Sequence, residues 1–296
     1  MGCCRCCATA TGSRPHLWTE VLDVFYINLD RATDRRAFME AQAKAGGLVL
    51  NRQRATEPGD LASGDHERFR DAWERPIAAN ELALLRSHVA LWKLALDRPE
   101  GLVVLEDDAV LSPRFGSVID RLPEGYDLIN LEDFGKKKFF ARRPDFTAHD
   151  FSVSRVMRDK AGAAAYHVSP RGAAKLLALA DHTAAPADAF LFGLARLDTA
   201  QVEPALACQA HILAGRGLDP GVKVPSSLDQ GRVAARRGRR NPRVFLRKAG
   251  TELRLAAMHL RRLVDVELRA PVFDADEFRG VLPIRIEDQA AAQTAS

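Results

Sequence analysis

The chain predicts an α/β domain built on a mixed, mostly parallel sheet. Three observations carry that expectation. Apolar, β-branched runs alternate with segments of helical spacing. Gly and Pro punctuate the joints between them. One apolar run, residues 102–105, ends directly in Glu106-Asp107-Asp108. In sheets of this kind ligands collect at the carboxyl ends of the strands, so the acidic triplet stands where a site belongs.

The elements follow in order. Residues 21–29 are apolar and rich in β-branched and aromatic side chains, which predicts a strand, and residues 35–44 have helical spacing. Gly46 and Gly47 end that helix, residues 48–50 form a short strand, and the polar residues 57–72 form a surface loop. Asn80 is placed to cap a helix reaching about residue 96, in which Leu84, Leu85, His88, Leu91, Trp92 and Ala95 share a face. After the strand at 102–105 come a short helix at 113–121 and a strand at 126–131. A strand at 162–168 leads through Ser169-Pro170 into a helix reaching about residue 180. Residues 186–197 are helical, and 202–207 add a late strand.

Side chains alternate across a strand, so Glu106 and Asp108 project to one face and Asp107 to the other. Carboxylate oxygens suit Mg²⁺ or Mn²⁺, ions commonly held by one or two carboxylates with a substrate's phosphates completing the shell. The triplet therefore points to a divalent cation and a diphosphate-bearing substrate; its plainer reading is a solvated acidic turn. Glu132 and Asp133 follow the 126–131 strand and open onto the same ligand edge. His88 shares its helical face with Leu84, Leu91 and Ala95, which suits a hydrogen-bonded core histidine as well as a ligand.

Composition bounds the classes. The chain has 296 residues, 47% of them hydrophobic, enough for a sizeable core. No apolar run approaches the roughly 20 residues of a membrane span. No secretory apolar core follows the N-terminus, so the expected location is cytoplasmic, with room for peripheral attachment to the inner face of the membrane. Cys3, Cys4, Cys6 and Cys7 crowd a turn-prone start, residues 1–20, which is read as a disordered leader rather than a zinc or disulfide framework. Met1-Gly2-Cys3 begins like an acylation signal but has Cys6 where Ser or Thr belongs.

Several stretches, in one order, resemble glycosyltransferase family 25, the lipooligosaccharide galactosyltransferases and related collagen-modifying enzymes. They are Tyr26-Ile27-Asn28-Leu29-Asp30-Arg31 with Asp34-Arg35-Arg36; Glu81 with Ser87-His88-Val89-Ala90-Leu91-Trp92-Lys93; Val104-Leu105-Glu106-Asp107-Asp108; Ala165-Tyr166-His167-Val168-Ser169; Pro186-Ala187-Asp188; and Pro204-Ala205-Leu206. The chain departs from the family pattern at Ala79-Asn80-Glu81 and Leu84, where Gly and Cys are frequent.

The resemblance implies a GT-A-like nucleotide-sugar-binding fold at residues 21–215, dependence on Mn²⁺ or Mg²⁺, and inversion at the anomeric carbon. It implies Asp108 as direct metal ligand, with Glu106 reaching the metal through water or the donor's ribose. Asp107 either orients the strand end or is the second ligand. Asp188 matches a late acidic position and is the expected catalytic base, with Glu132 and Asp133 as competitors and a helix N-cap as its structural alternative. Asn28, Arg31, Arg35 and His88 are implied nucleotide-sugar contacts, because arginine suits phosphate, while Arg36 fits a solvated helix equally. His211 is a candidate third ligand, and Tyr166 either packs under the acceptor or fills the core.

Residues 216–296 are read as a basic, partly helical extension. Residues 223–262 hold twelve Lys and Arg against Asp229 and Glu252, in a chain of net charge +4. There Val244, Phe245, Leu246, Leu253, Leu255, Met258 and Leu260 interleave with Arg243, Arg247, Lys248, Arg254, Arg261 and Arg262. That pattern suits a helix resting on an anionic membrane, or one packed on the domain. Nucleic acid is not expected as a partner, since no base-reading motif accompanies the arginines.

The leading expectation is a metal-dependent glycosyltransferase carrying a hexose, such as galactose from UDP-galactose, to a lipopolysaccharide or related glycolipid acceptor. Abundant Ala and Arg point to a high-GC bacterial source. Two competitors are an inactive relative acting as a membrane-associated glycan-binding or assembly subunit, and a phosphohydrolase using the acidic triplet.

Overall fold

A computed structural model describes residues 22–159, 162–222 and 242–279. In chain order the elements are β1 (Val24–Asn28), α1 (Thr33–Gly46), β2 (Leu50–Arg54), α2 (Asp65–Phe69), α3 (Ala79–Leu96), β3 (Leu102–Glu106), β4 (Ala109–Leu111), α4 (Phe115–Ile119) and β5 (Leu128–Asn130). Then come β6 (Lys138–Ala141), β7 (Phe146–Thr147), β8 (Ser152–Arg158), β9 (Ala165–Val168), α5 (Pro170–Ala180), α6 (Ala187–Ala189), β10 (Thr199–Glu203), β11 (Ala207–Gln209), α7 (Ala210–Gly215), α8 (Pro242–Arg261) and β12 (Val266–Arg269). A π-helical turn, Phe190–Leu194, continues α6.

Among the described residues the main sheet is mixed and has ten strands, in the order β12-β6-β8-β10-β5-β9-β3-β1-β2, with β7 beside β8. Seven run one way (β1, β2, β3, β5, β6, β7 and β10), and β8, β9 and β12 run the other. β9 lies between β3 and β5, antiparallel to both, so its first residues meet the carboxyl ends of those two strands. β4 pairs with β11 in a small second sheet.

Apolar layers cover both faces, which is why β3 reads as an unbroken apolar run rather than an alternating one. Val103 and Leu105 pack with Phe38 and Met39 of α1, Phe115 and Ile119 of α4, and Leu213 of α7. Leu102 and Val104 pack on the other side with Leu85, Leu91 and Trp92 of α3, Leu176 of α5 and Phe190. Gly101 turns the chain into β3 with φ +74°, and a Cβ there would lie 2.0 Å from the Val168 carbonyl oxygen. Both the backbone conformation and the contact exclude a side chain.

Several expectations shift. Helix α3 starts one residue before Asn80, with Ala78 at the cap position, and Glu81 reaches back to accept from the Ala78 amide at 2.9 Å. Asn80 is therefore inside the first turn, and the carboxylate three residues beyond the cap satisfies the free amide instead. β2 begins at Leu50 because Gly47, in the left-handed conformation, and the Leu48 amide close α1 first. The polar loop contains α2, and the late strand divides into β10 and β11. Residues 136–158, to which the sequence pattern assigns no element, supply β6, β7 and β8.

Beyond residue 215, the expected domain end, the chain returns to the sheet. β12 pairs with β6, and Phe278 is buried in the same core as Phe115. The cysteine cluster at residues 3–7, residues 223–241 and 280–296, and the side chains of Arg243, Val244, Phe245, Leu246, Arg247, Lys248 and Arg254 lie outside the described residues and side chains.

Asp127, at the entry to β5, ties three elements together. Its buried carboxylate accepts from Arg171 and Lys175 of α5 at 2.6 Å each, and from the Asp198 amide before β10 at 2.7 Å. Burial raises its proton affinity, but the Asp198 amide and the two cations outweigh that and hold it below the usual carboxylate range. A folded-state value below the unfolded one stabilises the fold above the unfolded value, and the contribution is lost as pH falls through the folded value. Asp127→Asn should lower unfolding free energy by about 2 kcal/mol at neutral pH. In urea titrations the deficit should shrink in acid; a deficit equal at all pH values would contradict this role.

Candidate active site

The candidate site forms where β3, β5 and β9 meet. Glu106 ends β3, Asp107 and Asp108 make the turn into β4, and Glu132 stands two residues past β5. Ala164, just before β9, joins the two strand ends. Its carbonyl accepts from the Glu106 amide at 2.9 Å, and its own amide donates to Glu132 Oε1 at 2.8 Å.

The carboxylates are crowded. Glu132 is fully buried, its Oε2 without a partner among the described residues, and burial pushes its proton affinity well up, with Glu106 and Asp108 adding to the effect. Asp108 also has an inaccessible oxygen, Oδ1, without a partner among the described residues; burial and then Glu106 push its carboxyl up to about 7. Glu106 is the more open member, with a side chain 22% exposed. Asp188, in the short α6, accepts from the Ala189 amide at 2.7 Å. Its affinity is raised by burial and by the charges of Glu106 and Glu81, against Arg75. Asp188 thus lies within electrostatic reach of Glu106. It sits in the helical turn rather than at the N-cap, which is Pro186.

Asp107 has a different environment. Arg35 of α1 donates to its Oδ1 at 2.9 Å and Asn28 to its Oδ2 at 2.8 Å. Asn28 also donates to the Ala32 carbonyl and accepts from Arg52. With both oxygens occupied, Asp107 anchors the strand end to β1 and α1. Asn28 and Arg35, expected on the nucleotide, are committed to that anchor, and Arg31 pairs with Glu57. Arg36 pairs with Glu40 along the surface of α1. Asp133 is likewise committed, to Arg216 at 2.7 Å and the Gly135 amide at 2.7 Å. His88 and Tyr166 are wholly buried. His211 packs edge-on against Phe134; burial lowers its proton affinity, and the charge of Glu106 opposes that.

A protein-family model described as "Glycosyltransferase family 25 (LPS biosynthesis protein)" matches residues 21–191. The chain belongs to glycosyltransferase family 25. Individual curated proteins give no match. The family match spans β1 through α6 and includes Glu106, Asp107, Asp108, Glu132 and Asp188. Family 25 membership supports a glycosyltransferase of lipopolysaccharide biosynthesis, with a nucleotide-sugar donor and a glycan acceptor.

Among the described residues, no three His, Cys, Asp or Glu side chains form a preformed metal-holding group. Two carboxylates at a strand end, one with a buried unpartnered oxygen, nevertheless fit a hard divalent cation whose remaining ligands come from a substrate's phosphates. Lys138 escaped the sequence reading. It is buried, 2.6 Å from Asp159 and 2.7 Å from Gln201 Oε1, and its charge acts on Glu132. The available signal was position: Lys136, Lys137 and Lys138 form one run, but only the third precedes Phe139-Phe140 inside a strand. Arg75, bound to Glu81 and acting on Asp188, lies between the loop at 57–72 and the helix from Asn80, where the sequence pattern assigns no element and gives no signal.

Removing the Arg35 guanidinium leaves the nearly buried Asp107 with one partner, so Arg35→Met should destabilise the fold by about 2 kcal/mol in denaturant titrations. Adding Asp107→Asn should recover part of that loss, since the stranded charge goes with it. Strictly additive losses would contradict the anchor.

Proposed function

We propose that this family 25 chain is a metal-dependent, inverting hexosyltransferase of GT-A-like architecture. Its donor is a nucleoside-diphosphate hexose, with UDP-galactose the first candidate, and its acceptor a lipopolysaccharide or related surface glycan. The observation that carries the reading is the convergence of Asp108, Glu132 and Asp188 on Glu106, each within its electrostatic reach, inside the family match. Crowded, buried carboxylate oxygens are unfavourable as charges unless a proton or a cation compensates them, which favours a cation-binding enzyme over an inert scaffold.

Glu106 and Asp108 are the residues to hold a divalent cation, which when bound neutralises charge on the diphosphate leaving group. Asp188 acts as general base. The acceptor hydroxyl passes its proton to this carboxylate as the hydroxyl oxygen attacks the anomeric carbon. The bond from that carbon to the diphosphate oxygen breaks on the opposite face, giving inversion. A raised proton affinity suits Asp188, because a base closer to the working pH accepts the proton more effectively. Glu132 is fully enclosed and better suited to shaping the field around Glu106 than to touching an acceptor.

A membrane surface completes the proposal. No helix among the described residues is long and apolar enough to cross a membrane. Past α8, however, Leu263 and Val264 are 82% and 78% exposed on a turn beside exposed Arg262, Arg142 and Arg143. Arg142 binds this turn directly, donating to the Arg262 carbonyl at 2.6 Å. Apolar tips among arginines suit an anionic lipid surface carrying a glycolipid acceptor.

Asp188→Asn should retain UDP binding in Mn²⁺ while kcat for transfer falls about 10³-fold; undiminished turnover would exclude it as base. The acid limb of the parent's kcat/KM should lie above the ordinary aspartate range, with activity lost as pH falls through it. Leu263→Glu with Val264→Glu should weaken cosedimentation with phosphatidylglycerol vesicles, and unchanged sedimentation would refute the docking surface.

A further inference from the structure

Behind Glu106 runs a buried polar chain that the proposed chemistry does not use. His88 and Trp92 lie four residues apart on one face of α3, both completely inaccessible, and Tyr166 faces them from β9, the strand paired with β3. Trp92 Nε1 donates to the Tyr166 hydroxyl at 2.8 Å, and that hydroxyl is 2.9 Å from His88 Nδ1. Among the described residues His88 Nε2 has no hydrogen-bond partner, and it is 3.5 Å from Glu106 Oε1. The His88 ring stacks on Tyr166 with centroids 5.9 Å apart, which fixes its plane.

Donor counting sets the direction. The indole N–H can only donate, so the Tyr166 oxygen is an acceptor there, and its own proton needs an acceptor in a site closed to water. His88 Nδ1 is the acceptor in place. The neutral ring then carries its proton on Nε2, aimed at a carboxylate oxygen. The opposite tautomer would strand the tyrosine proton and turn a nitrogen lone pair toward Glu106. A gap of 3.5 Å exceeds a normal hydrogen bond, and contacts of this kind often tighten only when ligand is bound.

We propose that Trp92, Tyr166 and His88 form a positioning relay in which the His88 Nε2 proton sets the orientation of the Glu106 carboxylate for the donor complex. This rests on the reading of Glu106 as part of the nucleotide-sugar site. Complete burial places His88 behind Glu106, out of reach of the nucleotide itself.

The direct test is long-range proton–nitrogen NMR on the full chain labelled with ¹⁵N-histidine, without ligand. His88 should appear as the neutral Nε2–H tautomer, and an Nδ1–H tautomer or a cationic ring would overturn the relay. This readout does not depend on any nucleotide binding.

Titration with UDP in Mn²⁺ then tests the consequence. Tyr166→Phe should raise the dissociation constant about tenfold, in the range typical of residues that orient ligating groups. His88→Gln, which keeps an amide N–H near the Nε2 position, should stay within about threefold of the parent. His88→Leu should weaken binding about as much as Tyr166→Phe and less than Glu106→Gln, which also removes a cation ligand, and His88→Leu added to Glu106→Gln should cost nothing further, because the relay acts only through that carboxylate. Additive losses, or Tyr166→Phe binding as the parent does, would overturn the relay. A parent that binds no UDP would count against the nucleotide-sugar reading, and the His88 tautomer would still decide the hydrogen-bond chain.

Discussion

Negative charge is concentrated at one edge of the sheet, where burial strips it of water, and the surrounding structure answers that constraint. Glu106, Asp108 and Glu132 come from the ends of two parallel-running strands; the charge of Glu106 raises the proton affinity of Asp108 and Glu132, and Asp108 adds to that of Glu132. β9 makes the crowding possible. Inserted antiparallel between β3 and β5, it brings Ala164 to the edge, where one residue's carbonyl accepts from the Glu106 backbone and its amide donates to the Glu132 carboxylate. Cations are placed with discrimination. Arg35 neutralises Asp107 and Lys138 moderates Glu132, while among the described residues Asp108 Oδ1 and Glu132 Oε2 find no hydrogen-bond partner. A raised proton affinity is one answer to such burial, and a divalent cation is the compensation proposed above.

The three acidic neighbours show why proximity in sequence does not imply one role. Strand alternation does not reach past Glu106, because Asp107 and Asp108 lie in the turn between β3 and β4. Which side meets ligand depends on where α1 and β1 fall, and their Arg35 and Asn28 occupy both oxygens of Asp107. The same logic separates Glu132 from Asp133, which Arg216 claims from the far end of α7. Partners distant in sequence make these decisions, and local pattern carries no record of them.

Much of the scaffold was legible for a physical reason. Strands β1, β3, β5 and β9 are buried on both faces, so their composition is continuous and apolar, and helices α1, α3 and α5 announce themselves by spacing. Segments that alternate or depend on a remote neighbour were less so. β8 mixes buried and half-buried positions, β6 begins with a lysine, and β12 has meaning only as the edge partner of β6. In the site, Glu106, Asp108 and Asp188 could be nominated from the chain alone, whereas Trp92 as a donor to Tyr166 looked like ordinary core. Aromatic residues at helical spacing conceal their polar atoms, and only the opposing strand shows where those atoms point.

Family membership, the crowded carboxylates and the flanking Asp188 agree on glycosyl transfer from a nucleotide sugar. The central claim is that charge at this edge is completed by a divalent cation together with a nucleoside diphosphate. Isothermal titration of the full chain with UDP, UDP-galactose, UDP-glucose and GDP-mannose, each with and without Mn²⁺, tests it most directly. The account predicts binding of at least one nucleotide sugar that requires the metal and disappears in Asp108→Asn. Folded parent protein that binds none of them, or binds equally without metal and in Asp108→Asn, would contradict it.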